Sequence, residues 1–209
     1  MKKVVSIALI ISFLVLHACT PSIGRRLIEK NKIETELSIG GSFFYYTPIP
    51  LPLPNVGLGL RYGIYENINT GVKVFPLLLT FNTLQITPYV VGSVFINSNE
   101  VIPSLNVYGE INSVIYLGKL EATFFPLIGV CGVWDLSLLS IYLPLEMSLD
   151  AYSERIPVKF NLGLGIEFRI TQNVHISLEL RLNSIGNIYL PLSSMVGIPV
   201  FFVSGSYSF

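Results

Sequence analysis

His175, Ser177 and Glu179 are the residues whose types and spacing could do chemistry. A serine hydroxyl becomes a nucleophile when a base stands within hydrogen-bond reach and an acid orients that base. Residues two apart on a strand share a face, so the three could meet on one side of a sheet. The chain has two histidines, and His17 falls in an N-terminal apolar stretch. That leaves His175 as the base. The same spacing equally suits three polar residues lining the inside of a sheet, and that is the preferred reading. The sequence carries no Cys–His metal cluster, phosphate-binding glycine loop or paired-carboxylate motif. The expectation is therefore no enzyme, no metal and no cofactor.

The element that must position these residues is a hairpin. Between 159 and 170, Lys159, Asn161, Gly163, Gly165, Glu167 and Arg169 alternate with Phe160, Leu162, Leu164, Ile166, Phe168 and Ile170. After Thr171-Gln172-Asn173 the pattern restarts. His175, Ser177, Glu179, Arg181 and Asn183 then alternate with Val174, Ile176, Leu178, Leu180 and Leu182. Successive strand side chains point to opposite faces, so these are two strands joined by a tight turn. Each has one apolar face and one face of polar, charged or glycine residues. A soluble sheet can share this pattern, so the rest of the chain must decide.

Composition points to lipid. Charged residues make up 12% of the 209-residue chain and hydrophobic residues 51%, with a mean hydropathy of +0.63. A soluble domain carries about 25% charged residues. The length suits one folded domain. A formal net charge of zero gives no overall attraction for nucleic acid, and none is expected as a partner.

Residues 1–18 read as an export signal peptide. Lys2-Lys3 is the positive region, and 4–16 is apolar but for Ser6 and Ser12. The stretch is short for a spanning helix. It ends Leu16-His17-Ala18-Cys19, which resembles the bacterial lipobox. That resemblance implies acylation of Cys19, which becomes the new N-terminus. His17 departs from it, where a small residue is usual; the alternative is plain cleavage after Ala18. Cys131 lies in an apolar stretch and is expected to be buried or lipid-facing. Residues 19–33 read as a lipidated tether. Arg25, Arg26, Lys30 and Lys32 make it basic, it lacks strand alternation, and a solvated linker is expected.

Residues 34–209 carry the repeating pattern. Strands are expected over 34–46, 55–65, 70–79, 84–96, 105–117, 119–127, 136–149, 159–170, 174–183 and 200–209. Residues 47–54 hold four alternate prolines, which cannot donate ladder hydrogen bonds, so they form an extended loop. Residues 129–135, with Trp134, read as a glycine-bearing connection, and 184–199 as a long loop. The count is about ten strands, near the roughly 9–11 residues that cross a bilayer at a tilt. It falls to eight if 136–149, which Pro144 interrupts, and a neighbour are not strands.

The C-terminus resembles that of bacterial outer-membrane β-barrel proteins. Their last strand ends in an aromatic residue with another apolar or aromatic residue two before it. Phe209 and Tyr207 match; the glycine usual five before the end is Ser204 here, beside Gly205. The resemblance implies an all-β fold, a closed antiparallel up-and-down transmembrane barrel. It also implies that Tyr207 and Phe209 are read by the barrel-assembly machinery, with outer-membrane lipid the other partner.

In lipid every backbone polar group must be paired within the protein, so the sheet must close. Apolar residues then face outward. Glu36, Arg61, Lys73, Glu110, Lys159, Glu167, Arg169, Glu179 and Arg181 are assigned to the interior, with both signs in similar numbers. The aromatics Phe43, Phe44, Tyr45, Tyr46, Tyr62, Tyr65, Trp134, Tyr189, Phe201 and Tyr207 could bind a ligand, but suit interfacial girdles better. The expected location is the bacterial outer membrane with the N-terminus in the periplasm, and the expected role structural, adhesive or a minor permeability.

Two alternatives stay open. The His-x-Ser pair resembles that of the lipid A deacylase barrels, which would make this an envelope-lipid-modifying enzyme using His175 and Ser177. The asparagine and Asn-Pro-Gly segment of that family are absent: Leu178 follows Ser177, and Asn187 leads into Ile188. The other alternative is a lipid-anchored soluble barrel with its apolar face turned inward around an apolar ligand.

Overall fold

Alternating polarity becomes alternating burial once the strands pair. The computed structural model describes residues 24–44, 51–52, 55–76, 82–97, 101–118, 121–149, 158–185 and 198–209. The strands are β1 (Ile33–Phe44), β2 (Leu51–Pro52), β3 (Asn55–Tyr65), β4 (Ile68–Phe75), β5 (Thr83–Phe95) and β6 (Ser104–Tyr116). They continue with β7 (Glu121–Leu136), β8 (Leu139–Leu149), β9 (Val158–Arg169), β10 (Val174–Ile185) and β11 (Ile198–Ser208). β2 is a short ribbon on Phe43 and Phe44 at the end of β1. The other ten form the wall, each antiparallel to its sequence neighbour. β11 closes on β1 from Glu34 opposite Ser208 to Ser42 opposite Val200. Phe209 and Ile33 exchange both backbone hydrogen bonds, at 3.1 and 2.9 Å. The ring leaves no open sheet edge, as a lipid-exposed sheet requires.

The wall is apolar outside and polar inside. Leu162 and Leu164 on β9 are 44% and 49% exposed, and Leu178 and Leu180 on β10 are 39% and 49% exposed. Between them Glu167 is 1% and Arg181 2% exposed. A soluble barrel inverts this arrangement, so the alternative of an inward apolar face around an apolar ligand is corrected. The β9–β10 turn is built locally: the Thr171 hydroxyl accepts from the Asn173 and Val174 amides at 3.2 and 3.0 Å.

Two expectations change. Residues 129–135 are not a connection: β7 runs unbroken through them and turns only at 137–138. Gly129 and Gly132 looked like breaks, but Gly129 lies under the Tyr108 ring, where any Cβ would clash. Its role is room, not a turn. Cys131, in the same strand, faces inward and is fully buried.

The second correction concerns the tether. Arg25 is 2% and Ile28 4% exposed, so this part of 20–32 is not a solvated linker. Residues 24–29 lie in the lumen near the mouth where β1 begins and β11 ends. Asn31, with φ of 63°, turns the chain into β1, its amide bonded to the Gly63 carbonyl at 2.8 Å. Asparagine tolerates this left-handed conformation better than most residues. The export signal, Cys19, the proline loop around β2, and Tyr45, Tyr46 and Tyr189 lie outside the described residues.

Candidate functional site

The site is the lumen, and its chemistry is that of buried ions. A small barrel has an interior that side chains can fill. Here the inward faces carry six buried carboxylates: Glu34, Glu36, Glu110, Glu146, Glu167 and Glu179. The buried cations of the wall are Arg61, Lys73 and Arg181. A buried carboxylate without a counter-charge is strongly unfavourable, so this excess of acid needs an answer from elsewhere in the chain.

The N-terminal segment supplies it. Arg25 Nη2 donates to Glu36 Oε2 at 2.8 Å, and its Nη1 donates to the hydroxyls of Ser177 and Ser204, both at 2.7 Å. Its Nε stands 3.1 Å from Glu167 Oε2. Arg26 Nε donates to Glu167 Oε1 at 2.5 Å, and its Nη2 bonds Glu34. The same Nη2 lies 3.0 Å from His175 Nδ1. Glu167 thus meets two guanidinium groups on consecutive residues.

The backbone of the segment is held as well. Asn69 takes both polar groups of Ile28: its Oδ1 accepts from the amide at 2.8 Å and its Nδ2 donates to the carbonyl at 3.1 Å. Asn106 Nδ2 donates to the Gly24 carbonyl at 2.8 Å, and Arg61 Nη1 to the Arg26 carbonyl at 2.8 Å. Burying backbone without partners would be costly; inward Asn and Arg side chains of the wall replace the missing strand.

Beyond the segment a second ion cluster fills the lumen. Arg181 Nη1 donates to Glu146 Oε2 at 2.9 Å, and its Nη2 and Nε donate to Glu179 Oε1 at 2.7 and 2.9 Å. Tyr108 donates to Glu146 Oε1 at 2.7 Å and Tyr142 to Glu179 Oε2 at 3.2 Å. Glu110 accepts from Asn112 at 2.9 Å. Lys73 Nζ reaches Glu36 Oε1 at 3.5 Å, a second cation on the carboxylate that Arg25 holds.

The sequence-derived site residues separate into four groups. Glu36, Arg61, Lys73, Glu110, Glu167, Glu179 and Arg181 are buried in the lumen. Arg169 sits at the mouth, paired with Asp135 and partly exposed. Lys159 is partly buried near the far end of β9. Tyr207 and Phe209 face outward, 47% and 61% exposed, with ring centroids 5.9 Å apart.

His175, Ser177 and Glu179 share the inward face of β10, but each is engaged separately. His175 faces Arg26, Ser177 is held by Arg25 and by Ser204 at 2.5 Å, and Glu179 is held by Arg181 and Tyr142. An arginine cannot take the serine proton. The geometry therefore presents three wall residues, not a nucleophile with its base. Arg25, Arg26, Glu34 and Glu146 belong to the site and were not singled out from sequence. The alternation of Glu34 with Thr35 and Leu37 was a signal for the first of these acids.

No family model and no curated protein matches this chain. Solved structures do. The NanC porin matches over 84% of this chain and 98% of its own, at 7% identity and a TM-score of 0.50. A designed transmembrane β-barrel matches over 88% of this chain and 100% of its own, at 14% identity and a TM-score of 0.37. The N-terminal β-barrel domain of OprF from Pseudomonas aeruginosa matches over 87% and 100%, at 11% identity and a TM-score of 0.33. The likeness is one of fold. With closure and outward apolar faces, the class is the transmembrane β-barrel of the outer-membrane type.

Proposed function

We propose that this chain is an integral β-barrel of the bacterial outer membrane that works closed, in a structural or surface-adhesive role, and not as an open pore. The observation that carries this is the pairing of Arg25 and Arg26 with Glu34, Glu36 and Glu167 inside the lumen. Any solute path along the axis meets that segment and then the Arg181 cluster.

The proposed orientation puts the N-terminus in the periplasm. Connections 66–67, 137–138 and 170–173 share one end with both chain ends, as does the longer 96–103. Connections 45–54, 76–82, 117–120, 150–157 and 186–197 share the other, three of them eight residues or longer. Outer-membrane barrels keep short turns on the periplasmic side and longer loops outside. An acyl chain on Cys19 is part of the proposal.

Conductance and extraction test this together. The barrel in planar bilayers should hold a closed baseline, and carbonate or urea should fail to strip it from membranes even as Cys19→Ala. Steady open conductance would contradict the closed role. Release of the Cys19→Ala chain would contradict the integral barrel.

A further inference from the structure

The wall around Arg25 and Arg26 has the make-up of a ligand site. Glu167 takes its ion pairs from these two arginines. Glu36 also has Lys73, and Glu34 has Arg61 at 4.0 Å. Two serine hydroxyls complete the pocket for the Arg25 fork. Planar donors against carboxylates and hydroxyls recognise guanidinium by shape as well as charge.

The occupant does not satisfy the site fully. Arg25 Nε and Glu167 Oε2 form an ion pair at 3.1 Å but fall outside hydrogen-bond geometry, and buried Glu34 Oε1 accepts no hydrogen bond, with Arg61 4.0 Å away. Buried polar atoms left this way cost free energy. A guanidinium free to reorient could meet acceptors that the tethered one cannot. The tether holds Arg25 at an effective concentration on the order of millimolar, within range of a free competitor.

We infer that this acidic wall is a guanidinium-binding site, filled in the resting barrel by Arg25 and Arg26, and that a free guanidinium ligand displaces the segment and exposes the lumen. The inference rests on the closed-barrel reading and names the ligand class that opens it. The protein carries its own reporter. Cys131 faces inward and is fully buried. A Cβ built on Gly24 would lie 2.9 Å from Cys131 Cβ, so the segment lies directly on this thiol. When the segment leaves, Cys131 meets lumenal water.

The experiment uses the full chain with Cys19→Ser, which leaves Cys131 the sole thiol. The protein is folded into lipid vesicles and checked by its gel shift on boiling. Cys131 is then labelled with a small water-soluble methanethiosulfonate. Methylguanidinium at tens of millimolar should speed labelling about tenfold, the scale set by competition with a millimolar tether. Tetramethylammonium at equal ionic strength should not.

Arg25→Ser with Arg26→Ser should label fast without any ligand and should bind methylguanidinium in calorimetry. If that variant fails to fold, the competition arm on the parent chain decides. An unchanged rate in a barrel that shifts on boiling overturns the inference alone. Equal acceleration by both cations reduces the effect to salt screening and also overturns it. Absence of the gel shift overturns the barrel reading and the inference together.

Discussion

Arg181→Ala should destabilise the folded barrel by about 3–5 kcal/mol, the range for removing one partner of a buried ion cluster. Arg181 is 2% exposed and holds Glu146 from β8 and Glu179 from its own strand. Taking it away leaves two buried carboxylates without their cation. Tyr108, Tyr142 and Asn161 donate to the same carboxylates and soften the loss without replacing the charge. Arg181→Lys should lose less, since the ammonium keeps the charge but cannot make the fork. Urea unfolding in lipid vesicles measures both. A loss for the alanine variant under about 1 kcal/mol, the scale of an exposed pair, would mean that water enters this part of the lumen.

Leu164→Arg should cost about 2–4 kcal/mol, the range for arginine on the lipid face near the bilayer midplane. Leu164 lies midway along β9, points outward, and is 49% exposed. In water such a substitution on an exposed side chain would change little. The penalty therefore separates the two environments: large in vesicles if the face meets acyl chains, near zero if it meets solvent. The same substitution at Ile170, just past the strand end and 58% exposed, should cost about 0–1 kcal/mol, as near an interface.

Much of the wall was legible because a period of two is hard to counterfeit. β9 and β10 read cleanly since each inward residue is polar or glycine and each outward one apolar. The last strand read nearly as well, with Phe201, Val203 and Tyr207 outward and Ser204, Ser206 and Ser208 inward, although Val200 and Phe202 also face inward. β7 did not. Its inward face carries Phe125, Leu127, Cys131 and Val133, so apolar residues fall on both sides and the alternation disappears. Leu127, Cys131 and Val133 form a small apolar core with Tyr89, Val91, Tyr108 and Tyr142, and the hydroxyls of Tyr108 and Tyr142 reach from it to the ion cluster.

The segment in the lumen was illegible for a different reason. Arg25-Arg26 has no periodicity, and four cations in 20–32 read as solvated. The clue lay in the charge balance of the wall. Lys159 and Arg169 made the interior look neutral, but they stand toward its ends. Glu34 and Glu146, on the first strand and on the strand that Pro144 interrupts, were left out. Moving the two cations outward and the two acids inward exposes an acid excess that, among the described residues, Arg25 and Arg26 of the N-terminal segment answer. Pro144 itself does not break β8; it faces inward beside Gly163, which has no side chain to obstruct it.

The central claim is that alternate residues of the wall meet acyl chains while their neighbours meet a sealed, ionic interior. Single cysteines along residues 160–168, each spin-labelled in a chain carrying both Cys19→Ser and Cys131→Ser in lipid vesicles, test it most directly. Collision rates with oxygen, which enters lipid, and with a water-soluble nickel chelate are compared at each position. Labels at 160, 162, 164, 166 and 168 should show high oxygen and low nickel contact, and those at 161, 163, 165 and 167 low contact with both. High nickel contact at 162 and 164 would place that face in water and contradict the account.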